Sequence, residues 1–394
     1  MQADDMEGRA TRAIIDLDAL ESNIRILRAN LSRGTGLMAV VKANGYGHGA
    51  VMVARTAVEA GATWLAVATV DEGAMLRQAG IAVPILVLGP IDPSEARAAV
   101  AARLTIAIGP ELLDPLRQAS EACQYVPLSV QLKIDTGMRR YGALPFGALA
   151  LAQAIVHTPA LHLTGVFTHF ARADEADETP TRLQAERFDQ TVAELRGAGI
   201  AVGLVHAANS AAALRSRAYD YNLVRAGIAM YGIPPSRDVA LWPGMRQVMT
   251  LRSRIRRVVR LMPGEGVSYG ATYRARECEC IGLVPIGYGD GYHRVLSNRA
   301  WMGIGGQRAP VAGRICMDQT LVRLPEGREL HPGDEVVVFG AGETGEPTLP
   351  QLADLAETIP YELATAVSTR VPRWFIRGGQ IVAVEDLAGL HKIT

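Results

Sequence analysis

Short apolar, β-branched runs alternate with amphipathic helical stretches from about position 14 to about position 240. Candidate strands are Leu37–Lys42, Trp64–Ala68, Ile85–Leu88, Leu104–Ile108, Leu128–Ile134, Leu163–Thr168, Leu204–Ala207 and Leu223–Arg225. Helices fit between them, for example Gly49–Ala60, Val70–Ala79 and Thr181–Arg196. The tetrad Asp18-Ala-Leu-Glu21 has the pattern of a capping box, with Asp at the N-cap and Glu at the third helical position, and so predicts where the first helix starts. About eight strand-then-helix units in succession argue for a (β/α)8 TIM-type barrel over 15–243 rather than an open sheet.

Beyond Pro243 the period changes. Gln247–Leu261 alternates apolar and polar residues, with arginines at 252, 254, 256, 257 and 260. That is the pattern of one antiparallel strand with a single wet face, and the arginines read as a solvated sheet surface rather than a nucleic-acid site. Turns such as Pro263-Gly-Glu-Gly266 and Pro332-Gly-Asp334 punctuate further short strands up to Val384. The expectation is a mainly antiparallel β domain over 244–394, with residues 1–14 joining it as an extra strand.

Composition narrows the function classes. A chain of 394 residues suits two domains. Acidic and basic residues balance at 40 each, so no net field recruits nucleic acid or an anionic membrane. No apolar stretch approaches a membrane span of about 20 residues, and the acidic Met-Gln-Ala-Asp-Asp-Met-Glu start lacks the apolar core of a secretory signal. A cytoplasmic protein without membrane or nucleic-acid partners is expected. Cys123, Cys278, Cys280 and Cys316 make no zinc set at familiar spacing and read as free thiols, and no metal site is expected.

Candidate chemistry starts at Ala39-Val-Val-Lys-Ala-Asn-Gly-Tyr-Gly-His-Gly49, an apolar run that closes in one lysine and breaks into a glycine-rich turn. A lysine at the end of a buried strand is costly to keep charged, which fits a task needing a neutral amine, such as a Schiff base with pyridoxal 5′-phosphate. Other polar residues fall at later strand ends: Lys133 and Asp135 after the fifth, His169 after the sixth, Asn209-Ser210 after the seventh and Arg225 at the eighth. In a barrel, chemistry gathers at that face.

With these blocks the chain resembles the alanine racemases along almost its whole length. The matching segments are Ala39–Gly49, Lys133-Ile-Asp-Thr-Gly-Met138, Thr168-His169-Phe170, Asn209-Ser210, Arg225-Ala-Gly-Ile-Ala-Met-Tyr-Gly232, Gly266-Val-Ser-Tyr-Gly-Ala-Thr-Tyr273 and Gly313-Arg-Ile-Cys-Met-Asp318. The resemblance implies that Lys42 carries pyridoxal phosphate and acts as one base. It implies a phosphate held near Gly227-Ile228 with help from Ser210, Tyr46 and Tyr361, with Asn209 also at the cofactor. Arg225 matches the partner of the pyridine nitrogen, and His169 the residue that holds Arg225 in place. Tyr269 matches the opposite base, supplied by the second subunit of a homodimer. Arg140 and the Met317 amide match the receivers of the substrate carboxylate.

Lys133 matches a lysine often carbamylated in the family. Asp174, Tyr288, Arg294, Arg314, Asp318 and Tyr361 resemble the lining of the substrate entry, where Tyr288 and Tyr361 leave room for a methyl group. The chain departs from the family in having Arg139 where glycine is common and Tyr141 where leucine is common. The function implied is interconversion of L- and D-alanine for peptidoglycan. A broader amino-acid or serine racemase on the same scaffold is the competing reading, and a decarboxylase is disfavoured by Arg225.

Overall fold

The computed structural model describes residues 8–122 and 127–393. Its first strand, β1 (Arg12–Asp16), leads directly into the helix Leu17–Asn30. The cap of that helix is Asp16, whose carboxylate accepts from the Ala19 amide, and not Asp18, which lies inside the first turn. The strand ends so close to the helix that the earlier aspartate reaches the free amides first.

Eight parallel strands follow: β2 (Gly36–Val40), β3 (Trp64–Val67), β4 (Ile85–Val87), β5 (Thr105–Ile108), β6 (Leu128–Lys133), β7 (Leu161–Phe167), β8 (Leu204–His206) and β9 (Leu223–Ala226). Neighbours in sequence pair in space, and β9 returns to pair with β2. Between β8 and β9 the ring closes through single bonds, Asn222 N–H to Val205 O and Arg225 N–H to Ala208 O. These are the strands the sequence pattern predicts, each within a residue or two. Their runs are almost wholly buried because helices cover the outer face while side chains fill the barrel. After β9 comes only the 3₁₀ turn Ile228–Tyr231, and the helix Leu17–Asn30 packs against it.

The remaining chain builds a sheet in the order Gln307–Pro310, Trp301–Ile304, Glu335–Phe339, β10 (Met249–Arg254), β1, Arg373–Arg377, Gln380–Asp386 and Gly389–Lys392. Its pairs are antiparallel except that β1 runs parallel to Arg373–Arg377. The N-terminal strand therefore lies in the middle of this sheet. The single strand expected over Gln247–Leu261 is two strands in two sheets. After β10 the Ile255 amide turns to Asp334 O and the Arg256 amide to Leu283 O, and β11 (Arg257–Leu261) pairs with Glu279–Val284 instead. Ile255 is fully buried at the crossover, so the alternation runs on through the break and hides it.

Two helices, Leu349–Ala356 and Pro360–Ala366, interrupt the β-rich part, and the second packs on the segment after β2. Among the described residues no helix is long and apolar enough to cross a membrane. Cys278, Cys280 and Cys316 are free thiols, and Cys123 lies outside the described residues.

Candidate active site

The ladder of β2 ends at Val40, two residues before Lys42, and the chain then does something unusual. Ala43, Asn44, Gly45 and Tyr46 all have positive φ, between 51° and 62°, and form one left-handed turn. Each non-glycine residue in that conformation costs about 1–2 kcal/mol, so surrounding contacts must hold it. Asn44 Oδ1 accepts from the Ala50 amide, and Arg373 Nε donates to Gly47 O from the C-terminal part. A Cβ on Gly47 would lie 2.1 Å from Ala364 O, which fixes glycine there. The turn aims Lys42 and Tyr46 into a cavity of about 630 Å³ above the carboxyl ends of the barrel strands.

That cavity brings together Lys42, Tyr46, Arg140, His169, Asp174, Asn209, Ser210, Arg225, Gly227, Ile228 and Tyr361. Lys42 has its amine pKa lowered, first by burial and then by Arg140, while Glu72 acts in the opposite sense. Burial pushes the Tyr46 and Tyr361 hydroxyls up, so both stand as neutral donors. The cations Lys42, Arg140 and Arg225 outweigh Asp174 and Glu362 along the wall, so the cavity suits an anionic guest.

Arg225 is held from several sides. One terminal nitrogen donates to Thr168 O at 2.9 Å and Ala207 O at 2.7 Å and meets His169 Nδ1 at 3.2 Å. The other donates to His206 Nδ1 at 2.7 Å. A guanidinium only donates, so Nδ1 of His206 is the acceptor and its proton sits on Nε2, 2.8 Å from Gln131 Oε1. Burial draws Arg225 down to about 9, still cationic near neutrality. The same burial, with Arg225 alongside, keeps His169 and His206 neutral, well below the usual histidine range. His206 was not singled out from the sequence. The only signal for it was its place at the end of the seventh barrel strand, the position that marks the other site residues.

On the opposite wall the helix Ser210–Arg215 starts at Asn209, which caps it by accepting from the Ala212 amide. Ser210 Oγ accepts from the amides of Gly227, 2.9 Å away, and Ala229, 3.3 Å away. A Cβ on Gly227 would come within 2.6 Å of the Tyr46 hydroxyl oxygen. The Ser210 and Tyr46 hydroxyls thus lie close to Gly227, where any side chain would press on the tyrosine.

Lys133 lies beneath the cavity rather than in its wall, and its Nζ donates to Tyr141 O at 2.8 Å. Burial, then Arg225, bring its amine down to about 8, against the pull of Asp135. The two departures from the family pattern are accommodated here. Arg139 sits at φ 57°, a conformation glycine takes without strain, with its amide held by Asp135 Oδ1. The Tyr141 hydroxyl donates to Ala107 O and accepts from the Gly109 amide, tying this turn to β5.

Tyr269, Tyr288, Arg294, Arg314, Met317 and Asp318 do not line the cavity of their own chain. They gather on the β-rich part. Ser268 Oγ and the Tyr288 amide both donate to the 314–316 segment, the Gly289 amide donates to Met317 O, and the Ile315 amide to Ser297 next to the turn of Arg294. Arg314 approaches Gly270 to 3.0 Å of a notional Cβ, and Arg370 bridges Asp318 and the fully buried Asp290. Ser268 carries φ 62° and ψ −178°, a strained conformation that presents Tyr269 outward. Tyr269 is 70 % exposed and Met317 54 %, on a surface that also bares Tyr288 and Val295. One chain therefore holds a cavity and, apart from it, an outward-facing cluster.

The family models for the alanine racemase N-terminal and C-terminal domains match residues 15–235 and 248–375. The alanine racemase of Symbiobacterium thermophilum is 45% identical over 380 residues, covering 95% of this chain and 99% of its own. Alanine racemase 2 of Bacillus subtilis is 40% identical over 379 residues, 94% of this chain and 95% of its own. Among solved structures, Bacillus anthracis alanine racemase with bound L-Ala-P superposes with a TM-score of 0.92 at 35% identity, over 97% of this chain and 99% of that one. The enzyme of the D-cycloserine producer Streptomyces lavendulae gives 0.89 at 39% identity, over 95% and 98%.

Proposed function

The chain belongs to the alanine racemase family of isomerases, and from that premise we propose that it interconverts L- and D-alanine. In this reading it works in the cytoplasm with pyridoxal 5′-phosphate, as a homodimer with shared sites, and supplies D-alanine for peptidoglycan. The observation that carries the reading is the meeting of Lys42, Arg140 and Arg225 around one cavity at the barrel's carboxyl end.

The residues fit the cofactor. The Ser210 hydroxyl, held by the Gly227 and Ala229 amides, and the neutral Tyr46 hydroxyl lie together beside Gly227 on the cavity wall and suit a phosphate dianion. Lys42, with its lowered pKa, suits attachment of the aldehyde. What the bound cofactor supplies is an aldehyde that condenses with the substrate amine and a ring that draws electrons from the α-carbon.

Arg225, assigned to the ring nitrogen, stays cationic near neutrality and can only donate, so it would leave that nitrogen unprotonated and the electron pull moderate. Quick return of the α-proton is then favoured over side reactions. Arg140 receives the substrate carboxylate together with the amide of the partner subunit's Met317. Inverting a carbon without swinging the substrate needs a base on each of its faces. Lys42 Nζ serves one face, and the partner subunit's Tyr269 serves the other from its exposed, strained turn, where Arg314 lends positive charge. Lys133 is proposed as the carbamylated lysine: near pH 8 a good part of its amine is neutral and able to take up carbon dioxide, giving Arg140 a negative neighbour. Tyr361 confines the side-chain pocket together with the partner subunit's Tyr288.

Chiral analysis of the pyridoxal-phosphate-loaded protein with L-alanine, L-serine and L-lysine tests the reading. Fast formation of D-alanine with lysine inert is expected. Comparable turnover of lysine would indicate a broad-specificity racemase, and release of carbon dioxide without D-isomer would overturn the assignment.

A further inference from the structure

The left-handed turn behind Lys42 is tied to the neighbouring barrel strand by one side chain. Glu72 stands in the first turn of the helix Val70–Gln78, which follows β3. Its Oε2 accepts from the amides of Ala68, at 2.8 Å, and Thr69, at 3.3 Å, completing a capping box with Thr69. A cap of that kind needs only one carboxylate oxygen. The other, Oε1, reaches across to the amide of Ala43 at 2.6 Å, the first peptide after Lys42 and the first of the left-handed turn.

Resting on the reading of Lys42 as the active amine, we propose that Glu72 is a positioning residue for Lys42, its carboxylate clamping the strained turn after the lysine to the end of the adjacent strand. The geometry suits the task. Three non-glycine residues of the four in this turn, Ala43, Asn44 and Tyr46, hold a conformation that relaxes readily if its first amide comes free, and the Lys42 side chain would swing with it. The clamp is also a negative charge acting on the lysine amine, opposed by Arg140, with Arg225, His169, Asp174, Glu362, Tyr46 and Tyr361 facing the same cavity. Glu72 thus joins two requirements, the direction of the amine and its state of charge.

The test uses the full chain, with and without pyridoxal phosphate, comparing wild type with Glu72→Ala, Glu72→Gln and Thr69→Ala. Hydrogen exchange is followed in the segment 42–48 and in the distant helix Thr179–Gly197, and the pH midpoint for labelling Lys42 with an amine reagent is measured without cofactor. Losing a charge-assisted hydrogen bond is expected to speed exchange of the 43–47 amides in Glu72→Ala by roughly 10- to 100-fold, leaving the distant helix unchanged. Glu72→Gln lowers the labelling midpoint of Lys42, because the carboxylate that favours the ammonium is gone. Thr69→Ala, which breaks the cap but not the clamp, reproduces neither effect.

Equal acceleration throughout the chain, or the same changes in Thr69→Ala, would reduce Glu72 to a helix cap and overturn the proposal. So would an unchanged 43–47 segment. None of these readouts depends on turnover, whereas racemisation surviving in Lys42→Ala would overturn the functional reading itself.

Discussion

The guanidinium of Arg225 and the imidazole of His206 meet at 2.7 Å inside the barrel, and this contact fixes the histidine as the Nε2-protonated tautomer, which donates to Gln131 Oε1. His206 is also stacked flat on Phe167, with ring centroids 4.8 Å apart and planes 2° from parallel. Replacing His206 by Phe keeps the volume and the stack but leaves a buried cationic N–H without its acceptor. Unfolding free energy is expected to fall by about 2 kcal/mol, measured by urea denaturation. A variant as stable as wild type would mean that the carbonyls of Thr168 and Ala207 suffice to hold Arg225.

Acid should destabilise the fold through its buried histidines. His48 and His206 are fully buried; burial lowers His48 to about 4 and His206 well below the ordinary value near 6.5. Both stay neutral in the folded state at pH values where an unfolded histidine already binds a proton. Their stabilisation is therefore complete above about pH 6.5 and is lost as the pH falls toward the folded values, by about 1.4 kcal/mol per unit for each. Denaturant midpoints of the cofactor-free protein between pH 7.5 and 5.5 should drop accordingly. A flat profile across that range would contradict the burial of these rings as neutral species.

Gly227→Ala fills the space beside the Tyr46 hydroxyl without removing any hydrogen-bonding group. Loss of one charge-assisted bond to a phosphate corresponds to roughly 10- to 100-fold weaker binding of pyridoxal phosphate. Equilibrium dialysis reads this directly, and pyridoxal lacking the phosphate should discriminate little between the two proteins. Unchanged phosphate-form affinity would place the phosphate elsewhere.

Shared sites predict complementation. Lys42→Ala and Tyr269→Ala variants should each be nearly inactive as homodimers. Unfolding and refolding an equal mixture gives heterodimers in which one of the two sites is intact, so about one quarter of wild-type activity should return. Because Tyr269 is exposed on its own chain, its replacement should change protomer stability by no more than about 0.5 kcal/mol. A mixture that stays inactive would argue that both bases come from one subunit.

The barrel was legible because its strands are short, apolar and separated by helix-length polar stretches, and each polar group at a strand end stood out against them. The β-rich part was less so. The sheet change at Ile255 leaves no mark in a sequence whose alternation continues through it, and the helix carrying Tyr361 breaks a domain read as strands and turns alone. At the site, Lys42 and Arg225 are charges in apolar surroundings and announce themselves. His206 and Glu72 do not, because a histidine ending one strand and a glutamate in a capping box each have an ordinary local explanation. Their importance lies in partners far away in the chain, which spacing cannot reveal.

The place of β1 in the middle of the C-terminal sheet bears on how the chain is made. This strand leaves the ribosome before the barrel, yet both of its flanking partners, β10 and Arg373–Arg377, emerge only after the barrel. At about 5–20 residues per second, it waits on the order of ten seconds or more with both edges unpaired. The barrel can assemble during that interval, whereas the β-rich part has to wait for Arg373–Arg377. A nascent chain stalled before Arg373 would carry a closed barrel and an open strand edge, a natural target for chaperones.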